Sequence, residues 1–197
     1  MNFNEMIQHR RSFYSFTKSS DVDDATLIQL VENILLTTPS AFDSQSQRIV
    51  LLLGDQHDLF WDMVLLKLKP NVSEEKFPTT QKKIQGFKSG QGTLLFYDDT
   101  NVTKEMKAKY PLYGDKAELW AYESNAMLQY VAWLGLADLG LSTSLQHYNP
   151  LIDQAAAMQF EIPLHWKMIA QMPFGIAAHE PKIKTQVPLD QRFKVKR

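Results

Sequence analysis

The chain has 197 residues, 44% of them hydrophobic, with 21 Lys and Arg against 22 Asp and Glu, a net charge of −1 and no cysteine. Its length suits one large domain or two small ones with a full core and no covalent staples. The composition excludes disulfides, thiolate metal sites and thiol nucleophiles. Scattered cations leave no broad basic face for nucleic acid, and no apolar stretch nears the roughly 18 residues that suggest a spanning helix.

In chain order, Phe3, Met6 and Ile7 recur at helical spacing, predicting a first helix over 2–10 with a narrow buried stripe. The start lacks a basic region followed by an apolar run, so a cytoplasmic location is expected. Ser20 or Asp21 is a candidate cap for a second helix ending near Thr37, its face formed by Leu27, Ile28, Val31, Ile34 and Leu35. A polar loop of small residues, Thr38 to Ser46, then leads into Ile49-Val50-Leu51-Leu52-Leu53, which reads as a strand buried on both faces.

His57 to Leu68 is helical and Pro70 closes it. In the lysine-rich stretch from Ser73 to Lys88, Pro78 suits the first turn of a short helix, and Gly86 to Gly92 reads as loop. Thr93 to Tyr97 is a second buried strand, ended by Asp98-Asp99, and an amphipathic helix follows over 102–109. The longest element runs from about Asp115 to Leu139. Its apolar residues, among them Leu119, Trp120, Met127, Tyr130, Val131 and Leu134, spread around most of the circumference, which predicts a central helix with Trp120, Tyr122, Tyr130 and Trp133 in the core. Gly140 suits its C-terminal cap. Ser142 to Leu145 is a short strand, Asp153 to Phe160 a helix, and Trp166 to Phe174 a third good strand closed by Gly175. From His179 onward a tail with little apolar material needs a partner surface. With no repeat or linker, residues 1–197 read as one α+β or α/β domain built on a mixed sheet of four or five strands.

Two adjacent guanidiniums and a hydroxyl, Arg10-Arg11-Ser12, suit an oxyanion such as phosphate. The bland alternative is a solvated basic pair at a helix C-terminus, favoured by the macrodipole. Three later stretches answer the first: Pro39-Ser40-Ala41-Phe42-Asp43-Ser44-Gln45, Ser144-Leu145-Gln146-His147-Tyr148-Asn149, and Pro188-Leu189-Asp190-Gln191-Arg192-Phe193-Lys194-Val195. In their order and spacing these four resemble the nitroreductase family, specifically its small fatty-acid-repression-mutant-like branch, along essentially the whole chain.

That resemblance implies a nitroreductase-like α+β fold and an FMN-dependent homodimer with active sites at the subunit interface. It assigns the flavin's phosphate, ribityl chain and pyrimidine edge to Arg10, Arg11 and Ser12. Ser40, Phe42, Ser44 and Gln45 would lie against the isoalloxazine of the other subunit, with Leu145, Gln146 and His147 along its opposite side. The extended tail would wrap the partner and add Lys184 and Arg192 near the phosphate. Relatives usually carry asparagine where Asp43 stands; an ionised carboxylate there cannot donate a hydrogen bond and lowers the local potential.

The implied activity is NAD(P)H oxidation coupled to nitroaromatic or quinone reduction in a two-step exchange, in which the cofactor carries the chemistry and no side chain need be acid, base or nucleophile. The competing reading is a flavin-binding protein of redox or stress response with a regulatory task. His147 could donate a proton, though a structural or ring-contacting role is the plainer one. The five histidines lack a carboxylate or thiolate cluster that would make a metal site, and neither Ser40 nor Ser44 lies in a Gly-x-Ser-x-Gly turn. Lys82, Lys83 and Lys88 read as a solvated face. Residues 77–92 and 110–115 are candidates for the segment that lids the pocket.

Overall fold

A computed structural model describes residues 2–18, 21–181 and 183–197. Among these residues five strands form its sheet: β1 (Phe16–Thr17), β2 (Gln47–Leu53), β3 (Gly92–Asp99), β4 (Ser142–Thr143) and β5 (Trp166–Ala177). The order is β1-β5-β3-β2, with β4 added on β5. Among the described residues seven α-helices surround it: α1 (Phe3–His9), α2 (Asp24–Thr37), α3 (Gly54–Leu68), α4 (Phe77–Lys88), α5 (Thr100–Lys109), α6 (Ala117–Asp138) and α7 (Asp153–Gln159). The architecture is α+β, as expected. The sheet is less mixed than expected: every pairing between these strands is antiparallel, and the one parallel pairing among the described residues is an isolated bridge between Ser12 and Thr143. Continuous apolar strands report burial on two faces, and helices on both sides provide that without parallel strands.

Alternation along β3 divides the core. Leu95 and Tyr97 pack with Phe60, Trp61, Val64, Ile84 and Phe87 of α3 and α4, while Leu94 and Phe96 pack with Leu27, Ile34, Leu128, Ala132 and Leu136 of α2 and α6. Between Phe96 and Tyr97 the register on β5 slips from Ala170 to Met168, leaving Ile169 as an extra residue. This bulge turns Met168 to the Tyr97 side.

Several boundaries move for identifiable reasons. Asp98 and Asp99 extend β3, opposite Lys167 and Trp166, because Thr103 and Arg48 supply partners for their carboxylates. Gly86 to Lys88 are helical, and Gly92 opens β3. An added Cβ at Gly86 would stand 2.4 Å from the Tyr14 carbonyl oxygen, so glycine here lets α4 press on the segment before β1. β5 continues past Gly175 because β1 pairs with Ile176 and Ala177. The second helix is capped by Asp23, whose carboxylate accepts from the Thr26 N–H at 2.8 Å; Ser20, one candidate cap, lies outside the described residues. On α1, Met6 and Ile7 are half-buried and Phe3 is exposed, so its stripe is narrower still.

The long helix corrects the expectation most. Its buried face is Ala117, Ala121, Ser124, Asn125, Leu128, Gln129, Ala132 and Leu136. Small residues allow close approach to the sheet. Asn125 donates to the Tyr97 carbonyl at 2.9 Å and accepts from Gln129 at 2.8 Å. Trp120 and Trp133 are only half-buried, whereas Tyr122, Tyr130, Leu119, Met127 and Val131 are exposed. No helix among the described residues is long and apolar enough to cross a membrane.

Candidate functional site

The first motif is positioned by backbone. α1 ends as the Arg10 N–H donates to the Met6 carbonyl at 2.9 Å, and the chain then runs extended. Ser12 bridges Thr143, and the Phe13 N–H donates to the Thr143 carbonyl at 3.0 Å. This stitches Arg10-Arg11-Ser12 to β4 and through it to β5. The Arg10 guanidinium lies 4.5 Å from the centre of the Trp133 ring, a cation–π contact that orients it. Arg10, Arg11, Ser12, Tyr14, Ile183 and Lys184 together line a cleft of about 260 Å3. Residues from both ends of the sequence thus meet at one place.

The third motif leaves β4 along the edge of β5. Gln146 and Gln171 exchange backbone hydrogen bonds, N–H to carbonyl, at 2.7 and 2.9 Å. The buried side chain of Gln171 accepts from the Tyr148 N–H at 2.7 Å and donates to Asn149 at 3.2 Å, clamping the loop to the strand. Gln146 is itself buried, its amide nitrogen donating to Ser144 Oγ at 2.8 Å and the Leu145 carbonyl at 2.9 Å. Leu145 is half-buried and His147 exposed.

The second motif forms a self-bonded loop. Ser40 Oγ accepts from the Gln45 N–H at 2.8 Å, and Asp43 accepts from the Gln45 amide at 3.0 Å. Phe42, Asp43 and Gln45 take left-handed backbone conformations, with φ of 54°, 52° and 50°. Asp tolerates that region; Phe does not readily, and the strain is held by surrounding contacts. Phe42 stacks on Tyr110 at 4.3 Å and packs obliquely against Tyr113 and Trp120 at 5.9 and 5.7 Å. With Ser44, Met106 and Lys109 it lines a separate cleft of about 190 Å3. Within one chain, then, Ser40, Phe42, Ser44 and Gln45 do not join the arginine cleft. Arg192 ends a short turn over Leu189–Gln191 and lines neither cleft.

The sequence reading missed Trp133, Tyr14 and Gln171. Nothing local marks them: Trp133 sits on an all-round apolar helix, and Gln171 lies inside an apolar strand. His57 is a buried structural histidine. It meets Thr93 Oγ1 at 2.8 Å through Nδ1 and the Lys88 carbonyl at 3.1 Å through Nε2, and Trp61 Nε1 donates to the same Thr93 oxygen at 2.9 Å. One pattern satisfies all three groups: indole to hydroxyl, hydroxyl to Nδ1, Nε2–H to carbonyl. Burial holds its pKa down at about 4.

Residues 7–176 match the model described as the nitroreductase family. The chain belongs to that family, a family of oxidoreductases. It is 31% identical over 183 residues to HBN1 of Saccharomyces cerevisiae, covering 92% of this chain and 91% of that one. To nitroreductase FRM2 of the same yeast it is 28% identical over 188 residues, covering 93% and 92%. These relatives place it in the fatty-acid-repression-mutant-like branch. The nitroreductase CinD from Lactococcus lactis, solved in complex with chloramphenicol and with 4-nitrophenol, superposes with a TM-score of 0.89 over the whole of both chains at 33% identity.

Proposed function

We propose that this nitroreductase, residues 1–197 as one unit, is an FMN-dependent NAD(P)H oxidoreductase acting on nitroaromatic or quinone-type acceptors. The observation that carries the reading is the meeting of Arg10, Arg11, Ser12 and Lys184 around one cleft. Permanent guanidinium charge, an ammonium and a hydroxyl suit a phosphate dianion, and the edge from Ser144 to His147 beside them suits a flat ring lying along extended backbone. Bound FMN would supply the two-electron chemistry, taking hydride from NAD(P)H and delivering reducing equivalents to the acceptor in a ping-pong exchange. The chain's own residues hold it: Arg10, Arg11 and Lys184 its phosphate, Ser12 its polar chain, and Leu145, Gln146 and His147 one side of its ring.

The assembly in this reading is a homodimer in a cytoplasmic setting. Leu119, Met127, Tyr130 and Val131 make an exposed apolar stripe on α6, and the tail exposes Ile183, Leu189 and Phe193. Such a surface suits cover by a second copy. The partner's loop would bring Ser40, Phe42, Ser44 and Gln45 to the other side of the ring, and Arg192 would serve the phosphate from the wrapped tail. Phe42 and Tyr110 then offer an aromatic wall to a planar acceptor, with the segment 110–115 as its lid. Stacking discriminates poorly among aromatic acceptors, so a broad preference follows.

The test is flavin content. Arg11→Ala should lower the FMN carried per chain sharply while far-UV circular dichroism stays that of the parent. An Arg11→Ala protein with its full flavin complement would refute the phosphate assignment.

A further inference from the structure

Where α5 and the first turns of α6 meet the ends of β3 and β5, the surface holds another cleft of about 200 Å3. It shares no residue with the arginine cleft or the Phe42 cleft. Nothing in the proposed oxidoreductase chemistry uses it.

Asp98 lines this cleft and keeps only 6% of its surface exposed. Its Oδ2 accepts from Thr103 Oγ1 at 2.9 Å, while its buried Oδ1 meets no donor among the described residues. A buried carboxylate oxygen left without a donor is costly. Helix capping does not account for it, because the cap of α5 is the neighbouring Asp99, which accepts from the Asn101 N–H at 3.1 Å. Lys167, opposite Asp98 in the strand ladder, feels the carboxylate's charge without donating to its Oδ1: its ammonium lies 5.3 Å from the centre of the Tyr122 ring and hydrogen-bonds that side chain.

The remaining lining is divided by chemistry. Lys104 and Lys167 bring two cations from α5 and β5, and Glu118 in the first turn of α6 adds a second carboxylate near Lys167. Ala121, Ile169 and the Tyr122 ring make an apolar wall, and Ile169 is there because the bulge in β5 turns Met168 to the other side of the sheet. A buried acceptor beside a second carboxylate, two ammonium groups and an aliphatic wall suit a ligand with a donor cation, a carboxylate and a short hydrocarbon branch. We propose that this cleft is a second ligand site that takes a free aliphatic α-amino acid, its ammonium on Asp98, its carboxylate between Lys104 and Lys167, and its side chain against Ala121 and Ile169.

The experiment is thermal unfolding of the purified protein, flavin included, with L-leucine, isoamylamine and 4-methylpentanoate at equal millimolar concentration. A ligand that binds the folded state alone raises the melting temperature. L-leucine should raise it, and the two analogues, each lacking one charge, should not. Asp98→Asn and Lys104→Ala should each abolish the rise. Lys104 is exposed, so its variant keeps the fold and the test survives if Asp98→Asn unfolds. No rise with L-leucine, meaning that water alone fills the cleft, would overturn the proposal. Equal rises with all three compounds, or a full rise in Lys104→Ala, would overturn it too.

Discussion

His57 shows how one side chain ties stability to pH. Its folded pKa is held at about 4 by burial, against 6.5 when free. The unfolded chain therefore binds a proton that the folded chain refuses between those values. Stability from this group is fully present above about pH 6.5 and is lost progressively as the pH falls toward 4, about 3 kcal/mol in all at 1.36 kcal/mol per unit. Urea unfolding at steps from pH 7 to pH 4 should show that decline, and His57→Gln should flatten it. An unchanged slope in the variant would show that other groups set the acid limb. This role could not be read in advance, because the partners of His57 are a threonine 36 residues away and a carbonyl 31 away. Arg10 and Arg11 were legible as a candidate anion-binding pair, and with Lys184 they line one cleft; the ring that orients Arg10 was not legible.

At the scale of elements, the apolar runs of β2, β3 and β5 and the amphipathic pattern of α2 were readable because each reports its own burial. Strand direction was not, since antiparallel strands covered on both faces carry the same uninterrupted apolar run as parallel ones. The glycine of α4 was misread as loop for a related reason: what Gly86 provides is close approach to the Tyr14 carbonyl, a contact with a distant segment. Gly86→Ala should cost about 2 kcal/mol, in the range of forced overpacking, measured as a lower urea midpoint with an unchanged slope. Stability equal to the parent would show that the segment at Tyr14 yields freely. On α6 the apolar pattern was visible but its inward face was not. The helix turns alanine, serine and asparagine to its own sheet and leaves Leu119, Met127 and Tyr130 outside.

For the whole molecule, that outward face is the reason to expect two copies. Met127→Lys sets a charge in the middle of the exposed stripe, so size-exclusion chromatography with light scattering should show the parent as a dimer and the variant shifted to monomer with less flavin. A parent that runs as a monomer would remove the partner's loop from the proposed site. The proposed dimer accounts for the two-cleft arrangement within one chain, arginines in one and Phe42 with Ser44 in the other, by having a second subunit bring them face to face. The motifs were legible in the sequence; their division between two clefts of one chain was not, because it depends on where the fold carries each loop.

The central claim is tested most directly by the visible absorbance of the freshly purified protein under anaerobic conditions, before and after adding NADH and then NADPH. A flavin spectrum that bleaches with one of these donors and returns when a nitroaromatic is added is the predicted result. A protein without flavin absorbance even after incubation with FMN, or a flavin that neither donor bleaches, would contradict it.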